Sequence, residues 1–197
     1  MKKIGIFFIS ILFFFHGSLL ALSTDPKEFV TELVNDAIGK LADKNISKED
    51  KAVYIEKIAL DNVDIKALSL YALGELRKST DKNNIENYQQ AFEKYFLKNL
   101  TSRLTDYSSS KFVVLGADKK SSNYTIVSSK MVPDDGDPEI KIDWRIYTKN
   151  IDKPLIRDLI VEGLSLARMQ KEEFASILSS NNNDIQILIS KLQEFVK

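Results

Sequence analysis

Apolar residues recur at three- and four-residue steps through the first half of the chain and at two-residue steps through much of the second. Asp25-Pro26-Lys27-Glu28 supplies an N-cap, a proline for the first helical position and a glutamate at the third. Phe29, Leu33, Ala37 and Leu41 follow at i+4 spacing with Val30, Val34 and Ile38 beside them, which predicts a helix with a wide apolar face. Ser47-Lys48-Glu49-Asp50 resembles a second capping box ahead of Val53, Ile55 and Ile58. Asp64 predicts the cap of a short third helix through Leu68, Tyr71 and Leu73 that ends near Gly74. A long fourth helix is predicted over 81–107, where Ile85, Tyr88, Phe92, Tyr95, Phe96, Leu100 and Leu104 form an aromatic-rich stripe. Such a stripe reads first as core packing, or else as one wall of an apolar cavity.

The period then shortens. Segments 112–117, 124–132, 139–149 and 155–162 are rich in β-formers and separated by turn signals at 118–123 and 133–138. The three aspartates of the second turn match no EF-hand loop and read as a solvated hairpin turn. Short connections predict an antiparallel sheet of four strands. In the third strand Ile140, Ile142, Trp144 and Ile146 share one face, and Lys141, Asp143, Arg145 and Tyr147 share the other. The sheet is therefore expected to cover something apolar on one side only. Ser165 then caps a helix carrying Leu166, Met169, Phe174, Ile177 and Leu178, the run Asn181-Asn182-Asn183 breaks it, and Asp184 caps a last helix.

Residues 1–23 stand apart from this pattern. Lys2 and Lys3 precede an apolar run over 4–15, and Ala21-Leu22-Ser23 offers a small-x-small cleavage signal. The run is short of the roughly 20 apolar residues that span a bilayer. Residues 1–23 are thus read as a cleavable signal peptide and 24–197 as a single domain. The full chain balances 28 basic against 28 acidic residues, so losing Lys2 and Lys3 tips it slightly acidic. That balance disfavours a nucleic-acid partner. The chain has no cysteine, which for an exported protein of this size points to a bacterial periplasm.

The single histidine, His16, lies in the leader. The mature domain therefore lacks the residues of the usual zinc and copper sites and of Ser-His or Cys-His nucleophilic catalysis. No metal or other cofactor is expected. No G-x-x-x-x-G-K-[ST] occurs either, so nothing in the chain resembles a nucleotide-hydrolysing loop.

Several pieces have a specific order and spacing. They are Asp25-Pro26 with Phe29-Val30, Tyr71-Ala72-Leu73-Gly74 before a helix bearing Phe92 and Tyr95, and Lys141-Ile142-Asp143-Trp144-Arg145. Asp158 followed by Val161-Glu162-Gly163-Leu164-Ser165-Leu166, and Glu173-Phe174-Ala175-Ser176-Ile177, complete the set. In these the mature chain resembles the MlaC family, periplasmic phospholipid-binding proteins also called toluene-tolerance auxiliary components. It departs from the family at Asn181 to Asn183, where a glycine is usual, and in a basic residue displaced to Lys171 or Arg168.

The resemblance implies an α+β fold. N-terminal helices, a curved four-stranded antiparallel sheet and two C-terminal helices would enclose an apolar cavity for acyl chains. It further implies a monomeric periplasmic shuttle that takes a phospholipid ligand between an outer-membrane lipoprotein complex and an inner-membrane ABC transporter complex, a role in outer-membrane lipid asymmetry rather than catalysis. The expected lipid-binding residues are Ile142, Trp144 and Ile146 from the third strand, Ile126 and Val127 from the second, and Leu159 and Val161 from the fourth. Tyr71, Phe92, Tyr95, Phe96, Leu166 and Ile177 join them from the helices. Arg145 reads as an outer-face residue that pairs with Asp143 or Asp158; the alternative, a phosphate contact at the cavity mouth, is disfavoured by its parity opposite to Trp144. Rival readings are a hopanoid-associated carrier, a periplasmic chaperone or interaction module, and an isomerase-like enzyme with Asp158 and Tyr147 as its acid–base pair.

Overall fold

The caps predicted from sequence start the helices of the structure, a computed structural model that describes residues 22–105, 110–133 and 138–197. Helix α1 spans Pro26–Ala42, with the Asp25 carboxylate accepting from the Lys27 and Glu28 amides. Helix α2 spans Lys48–Asn62 under a Ser47 cap, and Ser47 also donates to the Asp50 carboxylate at 2.8 Å. Helix α3 is Ile65–Ala72, capped by Asp64. It is followed by a 3-10 helix over Gly74–Lys78 that the pattern does not predict, entered through Gly74 at φ 65. Helix α4 runs over Lys82–Leu104 from its Asp81 cap. The last residues of the predicted fourth helix, 106 and 107, lie outside the described residues. So do most of the leader and 134–137 of the acidic turn.

Five strands form one open antiparallel sheet in sequence order among the described residues. They are β1 Ser110–Ser121, β2 Tyr124–Pro133, β3 Ile140–Tyr147, β4 Leu155–Val161 and the two-residue β5 Leu164–Ser165. The first turn is tighter than expected. Pairing extends to Ser121 opposite Tyr124, so only residues 122 and 123 turn. The polar run 118–121 lies on the outermost strand, where hydrogen bonding to one neighbour suffices and side chains meet solvent; composition therefore signals a loop where the ladder continues. The fifth strand also escapes the pattern, being two residues long. Glu162 and Gly163 turn into it with φ of 49 and 82, the pair of left-handed residues that a two-residue hairpin turn demands. Register shifts fall in the β1–β2 and β3–β4 ladders, and such bulges bend and twist strands locally.

Helix α5 covers Leu166–Ser179 and α6 Ile185–Phe195. Between them Asn182 and Asn183 take φ of 53 and 57. The Asn183 amide closes onto the Leu178 carbonyl at 2.8 Å. Asparagine enters the left-handed region more readily than other side chains bearing a Cβ, so the asparagine run can close a turn of the kind that glycine commonly closes.

Two apolar cores result. One joins α3, α4, α5 and α6 around Tyr88, Phe92, Phe174, Leu188 and Leu192. Tyr88 is fully buried and its hydroxyl donates to the Ser69 carbonyl at 2.9 Å. The other joins Phe29, Val30, Leu33 and Val34 of α1 to Val127, Trp144, Ile146 and Ile156 of the sheet. No helix among the described residues is long and apolar enough to cross a membrane.

Candidate functional site

Strand alternation sends successive side chains of β3 to opposite faces, and the two faces meet very different surroundings. On one, Val127, Trp144 and Leu159 stand in register across β2, β3 and β4. Helix α1 fills this face. The Trp144 indole N–H donates to the buried Ser129 hydroxyl at 2.9 Å, and that hydroxyl donates to the Ile142 carbonyl at 2.9 Å. The polar edge of the ring is thus satisfied inside the core.

On the other face the register brings Ile126, Arg145 and Asp158 together, and Ser128, Asp143 and Ile160. Among the described residues no helix fills this face as α1 fills the other, although α5 reaches it at Asp158. A cavity of about 870 Å³ separates it from α3 and α5. Ala67, Leu68 and Tyr71 line it from α3 and Ala167 from α5. The sheet contributes Asp118, Lys120 and Ser121 of β1, Tyr124, Ile126 and Ser128 of β2, Asp143 and Arg145 of β3, and Arg157 and Ile160 of β4. The volume falls within the ~300–1,000 Å³ typical of pockets that envelop an organic ligand. Its walls mix apolar side chains with charges of both signs.

Two neighbouring residues of β4 organise those walls. The register shift between Arg145 and Ile146 leaves Arg157 as the extra residue of a bulge, and a bulge re-aims a side chain. The Arg157 guanidinium donates to the Asp64 carboxylate at 2.8 Å and to the Tyr124 hydroxyl at 2.7 Å, and it lies 3.4 Å over the Tyr147 ring. Burial opposes its charge, but the bonds to Tyr124 and Asp64 outweigh that and raise its pKa above the ordinary arginine value. Asp64 uses its other oxygen to cap α3, accepting from the Ala67 amide at 3.1 Å. Asp158 plays the matching part at α5. Its side chain is 0% exposed; it accepts from the Ser165 hydroxyl at 2.7 Å and the Ala167 amide at 3.0 Å, and pairs with Arg145 at 3.2 Å.

Of the expected lipid-binding residues, the structure brings Tyr71 and Ile126 to the cavity. Val127, Ile142, Trp144, Ile146 and Leu159 lie on the filled face, and Val161 stands opposite Ile142. Phe92, Tyr95, Phe96 and Ile177 belong to the helical core. Leu166 is exposed beside the cavity-lining Ala167. The expectation that Arg145 points away from any cavity is corrected: it has the parity opposite to Trp144, as read, but the cavity is on its own side. Asp158 and Tyr147, the acid–base candidates, are engaged in the ion-pair network and beneath Arg157 respectively.

Asp143, Arg157, Ser128, Ile160 and Leu68 are cavity residues that the sequence reading does not pick out. One signal was available. In Leu155-Ile156-Arg157-Asp158-Leu159 two adjacent charges interrupt an otherwise apolar strand, a pattern that strict alternation cannot place on a single solvent face and that marks a bulge or a buried pair.

The family model described as MlaC protein matches residues 31–194, and the chain belongs to the MlaC family. Among solved structures it is similar to a phospholipid-binding protein from Ralstonia solanacearum in complex with a phospholipid, with a TM-score of 0.71. That match has 16% sequence identity and covers 89% of this chain and 96% of the other, which establishes a shared fold. No curated protein sequence matches.

Proposed function

We propose that this chain is a periplasmic phospholipid carrier that holds acyl chains in the cavity between the sheet and helices α3 and α5. The observation that carries the reading is a cavity of about 870 Å³ with apolar patches and fixed charges in a chain of the MlaC family. The Ralstonia relative, which shares the fold, was solved with a phospholipid. Tyr71 and Ile126, with Leu68 and Ile160, are the apolar contacts assigned to the chains; the residues of the filled face support that wall from behind.

A two-chain lipid in water exposes roughly 30 CH2 groups at about 0.8 kcal/mol each, roughly 24 kcal/mol in all. Crossing an aqueous compartment unaided is therefore negligible. A carrier needs only to replace the bilayer with an apolar cavity of similar quality, with no covalent step. On this reading the domain exchanges lipid between an outer-membrane lipoprotein complex and an inner-membrane ABC transporter, and those partners set the direction. The leader-like residues 1–23 support export.

Native mass spectrometry of the mature protein, purified without detergent, tests the reading. A co-purifying mass that matches one phospholipid per protein is the expected result. A hopanoid mass would redirect it to the related subgroup. Protein that stays empty after incubation with liposomes would overturn it.

A further inference from the structure

Charges on the cavity wall are matched by contact, with one exception. Arg157 meets Asp64, Lys120 meets Asp118, and Arg145 meets the buried Asp158. Asp143 also lines the cavity, yet it has no ion-pair or hydrogen-bond partner among the described residues. Its neighbours across the ladder are Ser128 and Ile160, neither of them a cation. On its own face of β3, Lys141 and Arg145 each stand two residues away; Lys141 is exposed and does not line the cavity, and the Arg145 guanidinium is turned to Asp158. The Arg145 side chain is 41% exposed, and its other N–H groups have no protein acceptor among the described residues. The wall therefore offers a carboxylate without a contact partner beside an arginine with donors to spare.

We infer that Asp143 and Arg145 together recognise a zwitterionic phosphoethanolamine-type headgroup, with Asp143 accepting from the ammonium and Arg145 donating to the phosphodiester. The inference rests on the phospholipid reading above and names the headgroup class for it. Alternate residues of a strand stand about 7 Å apart on one face, and their side chains can converge on a phosphate and an amine joined by two carbons. A primary ammonium supplies both a positive charge in contact and a hydrogen-bond donor. A phosphoglycerol headgroup carries the phosphate alone and would add a second negative charge beside Asp143, an arrangement that discriminates by repulsion as well as by attraction. Asp158 cannot take the amine, because Arg145, Ser165 and the Ala167 amide already engage its oxygens.

The test uses vesicles of equal phosphatidylethanolamine and phosphatidylglycerol content. The mature protein, first stripped of lipid, is incubated with them, re-isolated and analysed for bound lipid. Wild type should carry phosphatidylethanolamine over phosphatidylglycerol by roughly tenfold, the ratio that one charge-assisted hydrogen bond supports. Asp143→Asn should bring the ratio close to one, and Asp143→Lys should turn it toward phosphatidylglycerol. Neither change removes a protein contact, so the fold is expected to survive both, and circular dichroism checks that. Equal loading of the two lipids by wild type, or an unchanged ratio in Asp143→Asn, would overturn the inference while leaving the carrier reading in place. Uptake of no lipid from any vesicle would sink both.

Discussion

The two faces of the sheet are made by the same strands, yet one is closed and the other is open. The face that bears Val127, Trp144 and Ile146 is filled by α1, and even the Trp144 indole N–H has a buried acceptor. The face that bears Ile126, Asp143 and Arg145 stands off from α3 and α5 across a cavity. Apolar character alone therefore does not mark a binding wall. A fully apolar face attracts a helix of the same chain and becomes core. A face with apolar side chains between fixed charges resists that closure, because burying it would strand the charges. The mixed face is the one left open to a cavity.

Substitutions on the two faces should separate stability from lipid uptake. Trp144→Ala should cost about 3–5 kcal/mol, as removal of a buried aromatic does, read from the urea midpoint. If it left stability intact and abolished lipid binding instead, the roles of the two faces would be reversed. Arg145→Gln removes the cationic partner of buried Asp158, and should cost about 1–3 kcal/mol as well as weakening lipid retention. A loss of retention alone would mean that Arg145 serves only the ligand. Gly163→Ala sharpens the view of the joint between β4 and α5. The added methyl meets nothing within 4 Å, so the expected loss of about 1–2 kcal/mol reflects left-handed backbone alone. Ile126→Trp, placed in the cavity, should change stability by less than about 1 kcal/mol and markedly reduce lipid loading by mass spectrometry; a full lipid load would remove Ile126 from the wall.

The smallest expected effect lies outside the sheet. Burial raises the Tyr88 pKa above the ordinary tyrosine value of about 10. The folded state thus keeps that proton longer than the unfolded chain. Its contribution is fully present below pH ~10 and is lost as pH rises toward the folded-state pKa. Tyr88→Phe should flatten this alkaline loss of stability without altering headgroup preference.

Much of the fold was legible because caps and periods are local. Asp25, Ser47, Asp64, Ser165 and Asp184 each start a helix where their side chains promised one, and Asp81, expected as the first residue of the fourth helix, is its cap. The parity of β3 was legible too, down to which residues share a face. What lay beyond local pattern was which face would be covered. That depends on α1 crossing to the sheet from the far end of the sequence, a long-range choice that Trp144 and Ile142 do not announce. The bulge at Arg157 is likewise invisible to a period-two reading, because it exists only in the pairing of β4 with β3.

The bonds that Arg157 and Asp158 make have a mechanical consequence. The start of α3 is pinned to β4 through Asp64, whose amide also donates to the Ile156 carbonyl at 2.9 Å. The start of α5 is pinned to the next residue of the same strand through Asp158. Both walls of the cavity facing the sheet therefore hang from three consecutive residues, like two jaws on one pivot. Their near ends cannot part without breaking the partly buried Arg157–Asp64 ion pair or the hydrogen bonds that Asp158 accepts from Ser165 and Ala167. Whatever play the gap has must come from the far ends, where α3 runs into its 3-10 turn and α5 into the asparagine turn, so a bulkier cargo would be admitted by splaying the jaws rather than by lifting either of them off the sheet.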